Sequence, residues 1–296
     1  MERPAILHMI SPQKHVSPFD LNMAADAGFE VIATYGEVDL AEVAGLVQDM
    51  IFSRAPKDSR RTALFIGGRD AGLALDMLAK AKKAMMPPFA ISAFADPSGS
   101  FTTAAAMMAL IEKELREEGG LRGRSVTVFG AGGTVGIAAA ALAAQAEAKV
   151  TLASHRGRLA AEQRAGELET RFGVEVVPVD GSSSQAKSAA IRDAEIVIAA
   201  GPAGVRILGR EELSGARALK LAADVNAVPP AGIEGLGPSD MAKPIAGGRA
   251  VGFGPLAIGN IKFKTQNKLL RMMLESDQPL VLEFQEAYRV ARAIAG

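Results

Sequence analysis

"TVFGAGGTVGIAAAALAAQAEAKVTLASHRGR", residues 127–158, reads as an apolar strand, a turn with four glycines, an alanine-rich helix and a second strand. The turn misses the strict G-x-G-x-x-G spacing, because its last glycine falls one residue late. Its mechanical needs are still met. Gly130 permits a tight turn, Gly132 lets a pyrophosphate approach the backbone, and Gly136 allows close packing of helix on strand. Ala131, Gly133, Thr134 and Val135 complete the loop, and the helix that follows offers free N–H groups and a positive dipole end to phosphates. Strand, turn, helix and strand at these distances predict a bound dinucleotide.

The end of the second strand bears on which one. Proteins specific for NAD usually place Asp or Glu about twenty residues past the glycines, where it accepts from the ribose hydroxyls. This chain has Ser154, His155, Arg156 and then Arg158. A hydroxyl and a guanidinium bind a 2′-phosphate through charge-assisted hydrogen bonds. NADP is therefore expected as a cofactor, and nothing excludes NAD. The bland alternative is a set of solvated charges at a helix start. Further on, "AAGPAG" supplies Ala200, Gly201 and Pro202 at a strand end, small enough for the nicotinamide ribose to pass close to backbone. Asn226, with Asp224, stands at the next strand end. Such carboxyl ends are where parallel sheets bind ligands.

Around this stretch the chain alternates strands and helices. "SVTVFG", "KVTLAS", "EVVPVD", "AEIVIAAG", "LKLAADV" and "RAVGFGP" read as the strands of one Rossmann-type, doubly wound parallel sheet over residues 106–274. A smaller N-terminal α/β domain is expected over residues 1–105, with strands "AILHMI", "VIATYG", "RTALFIGG" and one inside "PPFAISAFADPSGS". Ser17-Pro18 starts a helix there and Gly28 stops it, while Asp70 caps the next. "TTAAAMMALIEKELREEG" is a long bridging helix. The tail reads as two helices, with residues 275–296 expected to pack back on the first domain and an interdomain cleft as the ligand site.

Composition excludes several chemistries. The 296 residues carry 33 Lys and Arg against 33 Asp and Glu, so no global charge favours nucleic acid or an anionic membrane. There is no cysteine, which removes disulfides, thiolate zinc sites and cysteine nucleophiles. His8, His15 and His155 are far apart in sequence, so no metal is expected. No window approaches twenty apolar residues, and "MERPAILHMISPQK" lacks the apolar core of a signal peptide. A soluble cytoplasmic protein is the expectation.

"DPSGSFTTAAAM", "FGAGGTVG", "AADVNAVPPAGI" and "GPLAIGNIKFKTQ" together resemble the methylene-tetrahydromethanopterin dehydrogenases of methylotrophic bacteria. "SPFDLNMAADAGFE" and "QDMIFSRAP" look like the branch that accepts either NAD or NADP. The likeness spans nearly the whole chain. It implies oxidation of 5,10-methylene-tetrahydromethanopterin to the methenyl form, within formaldehyde oxidation, by a cytoplasmic homo-oligomer that binds the pterin between its domains.

That chemistry suits the residues present. When hydride leaves the carbon bridging N5 and N10, the two nitrogens share the positive charge and no proton has to move. The protein's task is to hold two planar systems at about 3–3.5 Å and exclude water. Asp20, at a helix start, is a candidate acceptor for pterin N–H groups, although a plain first-turn carboxylate would look the same. Ser98, Gly99, Thr102 and Thr103 form a turn that either caps the bridging helix or reaches the ligand. Given the resemblance, Lys262 is assigned to the pterin pocket with Gln266 beside it. Lys262, Asp20 and Thr102 are the side chains assigned to the reacting centre. Competing readings are a methylene-tetrahydrofolate dehydrogenase, a shikimate-type dehydrogenase, which would need a Lys–Asp base pair, and an NADP-binding sensor without catalysis.

Overall fold

The computed structural model describes residues 3–296. The chain falls into two compact units, one holding the chain up to Thr102 together with Phe263–Val290, the other Thr103–Lys262 and Ala291–Gly296. These boundaries lie inside helices, at 102/103 and 262/263, where the sequence reading drew them at 105 and 274.

In chain order the first elements are β1 (Ile6–Ile10), α1 (Pro18–Ala27), β2 (Val31–Tyr35), α2 (Val43–Phe52), β3 (Thr62–Ile66), α3 (Ala71–Ala84), β4 (Ser92–Ala95) and α4 (Ser100–Glu114). Pro18 begins α1, and Gly28 ends it in the left-handed region at φ 107°. Ser17 occupies the N-cap position, but its hydroxyl makes no cap bond. Asp70 does cap α3, its Oδ1 accepting from the Leu73 N–H at 2.7 Å.

There follow β5 (Ser125–Phe129), α5 (Thr134–Gln145), β6 (Lys149–Ser154), α6 (Arg158–Phe172), β7 (Val177–Asp180), α7 (Ser184–Ile191), β8 (Ile196–Ala199), α8 (Arg210–Ser214) and β9 (Leu221–Asp224). The chain ends with β10 (Lys243–Ile245), β11 (Ala250–Phe253), α9 (Pro255–Glu275), β12 (Val281–Leu282) and α10 (Phe284–Ala295).

The first unit carries a five-stranded sheet ordered β12-β4-β3-β1-β2, with every pair parallel. Its strand order reverses between β1 and β3. Phe65 and Phe94 meet edge to face in its core, with centroids 5.4 Å apart. The second unit carries seven strands ordered β10-β11-β9-β8-β5-β6-β7. Counted from β5, its six parallel strands follow the doubly wound order, reversing between β5 and β8. The inner strands β8 and β9 are buried throughout, as continuous apolar runs in a doubly covered sheet should be. Helix α5 is buried from Ala138 to Ala143, and its methyl side chains let it lie close to the strands.

Two short strands escaped the sequence reading. β10 is a three-residue antiparallel edge strand containing Pro244, a residue that suits a sheet edge. β12 has only two residues, and it adds to β4. Neither is long enough to show a period.

Glu283 follows β12 directly and precedes α10. Its Oε1 accepts from the Gln285 N–H at 3.0 Å. Burial, and then the nearby Glu286 carboxylate, push its pKa up to about 8 from an ordinary 4.5. The folded state thus keeps a proton that the unfolded chain has already lost. This group's contribution to stability is present in full below about pH 4.5 and is lost as pH rises towards 8. Thermal melts of Glu283→Gln, which keeps the Gln285 acceptor, should show a flatter decline in Tm between pH 5 and 9 than the natural protein. Parallel declines would contradict this assignment.

Candidate functional site

In the second unit the carboxyl end of β5 turns directly into α5. Gly130 has φ 87°, and an added Cβ would collide with the backbone carbonyl of Ala200 at the end of β8. Only glycine satisfies both conditions. Gly136 is crowded too, since a Cβ there would lie 2.6 Å from the Gly130 oxygen and 2.8 Å from the Ala131 Cα. Gly132 differs: nothing lies within 4 Å of its added Cβ, and the residue is exposed. The first turn of α5 presents N–H groups with no acceptor inside the helix, and its N-cap residue, Gly133, has no side chain to bond them. Two sterically required glycines, one glycine open to approach and an uncapped helix start fit a pyrophosphate cradle. Ala131 is buried beneath the turn, while Thr134 and Val135 are half-buried at the helix start.

At the end of β6, Ser154 is half-buried, and His155, Arg156 and Arg158 are exposed. The Ser154 hydroxyl accepts from the Arg156 N–H at 3.1 Å, which bends the chain after the strand. Arg158 pairs with Glu162 at 2.9 Å. Among the described residues Arg156 makes no ion pair.

The structure ties Asn226 into the protein more firmly than its reading as a cofactor contact implied. It is buried, its Oδ1 accepts from the N–H groups of Gly204 at 3.0 Å and Val228 at 2.9 Å, and its Nδ2 donates to the Pro230 carbonyl at 2.8 Å. Asn226 thereby joins the loop after β8, with Ala200, Gly201 and Pro202, to the loop after β9. Beneath it Asp224 accepts from the N–H groups of Asn226 at 2.9 Å and Ile233 at 3.1 Å. Burial pushes the Asp224 carboxyl above the usual carboxylate range, against the pull of those N–H groups.

In the first unit two sets of polar groups follow strand ends, one after β1 and one after β4. Asp20, in the first turn of α1, is buried, and its Oδ1 accepts from Gln266 Nε2 of α9 at 2.7 Å. Gln266 has no exposed surface. Two residues 246 positions apart are joined here, which no local pattern could reveal. Lys262, half-buried on α9, is the last residue of the second unit before the boundary.

Asp96, at the end of β4, was overlooked as a functional group, although the strand-ending "ADP" could have flagged it. It is fully buried, and it accepts from the Phe101 N–H at 2.9 Å, the Thr102 N–H at 3.2 Å and the Thr102 hydroxyl at 2.6 Å. Thr102 is itself fully buried, so its hydroxyl serves the start of α4. Thr103 is half-buried. Between Asp96 and α4, Ser98 and Gly99 adopt φ 54° and 65°. The exposed Ser98 donates its hydroxyl to the Gly68 carbonyl at 2.8 Å, pinning this turn to the end of β3.

Residues 18–98 match the family model described as methylene-tetrahydromethanopterin dehydrogenase, N-terminal. That span includes Asp20, Asp96 and Ser98. The chain is also 49% identical, over 99% of both lengths, to the NAD(P)-dependent methylenetetrahydromethanopterin dehydrogenase of Methylorubrum extorquens. The chain belongs to this dehydrogenase family. A second relative from the same organism, the bifunctional protein MdtA, is 33% identical over 94% of this chain and 95% of its own. Among solved structures, a shikimate 5-dehydrogenase from Listeria monocytogenes superposes with a TM-score of 0.54 at 14% identity, covering 97% of this chain and 96% of its own. An ornithine carbamoyltransferase from Pyrococcus furiosus does so with a TM-score of 0.53 at 11% identity, covering 94% and 87%. At such identities these two share the fold alone, which family members evidently have in common with enzymes of other chemistry.

The glycine geometry separates binding from folding. Gly132→Ala should leave stability within about 0.5 kcal/mol and weaken NADPH binding, because the methyl enters open space on the ligand side. Gly136→Ala should cost about 1–3 kcal/mol, because backbone atoms block its methyl. Denaturant unfolding and calorimetric titration check both, and equal destabilisation by the two changes would contradict the cradle.

Proposed function

We propose that this chain transfers hydride from 5,10-methylene-tetrahydromethanopterin to NAD+ or NADP+, giving 5,10-methenyl-tetrahydromethanopterin. The observation that carries the reading is the end-to-end identity of 49% with the enzyme of that name. The glycine cradle supports the nucleotide half. When bound, the nicotinamide supplies the hydride acceptor.

The remaining work is placement. The buried Asp20 carboxylate is kept oriented by Gln266 and accepts from ring N–H groups of the pterin in this reading. Lys262 lines the pterin pocket in this reading and attracts the acidic groups of the carrier's tail. Ser98 and Gly99 bring backbone close to the ring, and Asp96 with Thr102 holds their turn. Thr103 completes the contact set. No side chain has to take a proton, because hydride departure leaves a positive charge delocalised over N5 and N10.

The physiological setting in this proposal is formaldehyde oxidation in the cytoplasm, by a homo-oligomer. Among the described residues no helix is long and apolar enough to cross a membrane.

The test is an absorbance assay at 340 nm crossing methylene-tetrahydromethanopterin and methylene-tetrahydrofolate with NAD+ and NADP+. Turnover of the first carrier with both cofactors is expected. Turnover of shikimate, with neither carrier oxidised, would overturn the proposal.

Asp20→Asn keeps an acceptor for Gln266 and removes the charge. It should lower kcat/KM for the pterin about tenfold to a hundredfold. Cofactor Kd should hardly move. An unchanged pterin KM removes Asp20 from the site.

A further inference from the structure

The end of β6, where the adenosine ribose lies in doubly wound folds, carries no acid of its own. The structure nonetheless puts one next to it. Asp180, the last residue of β7, is the parallel register partner of Ser154, the last residue of β6. Register partners sit on neighbouring strands about 4.8 Å apart, and their side chains leave the same face of the sheet. The two strand ends stay together beyond that pair. The Gly181 N–H donates to the Ser154 carbonyl at 2.9 Å, and a Cβ at Gly181 would stand 3.2 Å from that of Ala153. Asp180 is exposed.

One Asp180 oxygen accepts from the Ser182 N–H at 2.9 Å. A carboxylate has about four acceptor positions, so an exposed one bonded only to its own turn can still accept from a ligand hydroxyl. The Ser182 N–H, and then the Ser182 hydroxyl, hold the Asp180 carboxyl below the usual range, so it is ionised at neutral pH.

We propose that Asp180 is the cofactor-discriminating acid of this chain, accepting a ribose hydroxyl of NAD from β7 while Arg156, after β6, takes the 2′-phosphate of NADP. This rests on the dinucleotide reading above and deepens it. One ribose then meets an anion from one strand and a cation from the other. NAD gains an acceptor for its diol. NADP gains a guanidinium but meets a negative charge beside its phosphate. Neither cofactor is excluded, which is how one site serves both. The chain departs from the usual arrangement by moving the acid one strand sideways, where no motif spaced from the glycines would find it.

The experiment is a fluorescence titration of NADH and of NADPH, at fixed ionic strength, on the natural protein, Asp180→Asn, Asp180→Ala and Arg156→Gln. The chain has no tryptophan, so nicotinamide emission is read directly. Asp180→Asn should weaken NADH about five- to tenfold and leave NADPH unchanged or tighter, with Asp180→Ala acting in the same direction. Arg156→Gln should do the reverse. Ser182 is exposed, so its N–H can turn to water, and melts should be unchanged. Asp180 variants that move both cofactors equally, as a contact to the shared adenine would, overturn the inference, as do variants that move neither. Natural protein that binds neither cofactor overturns the dinucleotide reading and this inference with it.

Discussion

Where β5 passes into α5, the Gly130 Cα lies against the Ala200 carbonyl so closely that no side chain fits, in a backbone conformation that L residues seldom adopt. This crowding brings the ends of β5 and β8 together at the point where the strand order reverses. Gly132, next in the turn, has open space where a side chain would stand. Gly136 then lets the helix return against the turn it came from. The alanines after it keep α5 buried from Ala138 to Ala143. Three glycines thus set the tight turn that leads into the N-terminal N–H groups of α5.

The loops around this cradle are secured by buried side chains whose polar atoms are spent on the backbone. Asn226 joins the loops after β8 and β9, and Asp224 holds the second of them from below. In the first unit, Asp96 does the same for the turn before α4. A buried polar group costs stability unless it is bonded, so these contacts make each loop geometry specific rather than merely permitted. A loop held this way can approach a flat ligand without collapsing onto it. That suits a reaction in which placement does the work. Asp20 differs in that its carboxylate bonds a side chain, the Gln266 amide, brought from the far end of the chain.

Much of this was legible in the residues. The strand–glycine–helix–strand run displays its mechanics in the order of its letters, because sterics of a turn are local. The parallel character of both sheets follows from apolar runs such as "IVIA" and "TALFI", which are buried on both faces. What stayed hidden depends on distance in sequence. The Asp20–Gln266 bond, the pairing of Asp180 with Ser154, and the commitment of Thr102 to Asp96 depend on which strand ends and helices come to lie together. β10 and β12 were too short for periodicity to register.

The amino-acid order alone determined the α/β class, the nucleotide turn and, through long shared motifs, the family, because each is written in contiguous residues. Only the tertiary structure decided which polar side chains are consumed in holding loops and which keep bonding capacity, since that depends on burial and on partners brought from elsewhere in the chain. Register between β6 and β7 placed a carboxylate beside Ser154, and no spacing rule within either strand contains that information.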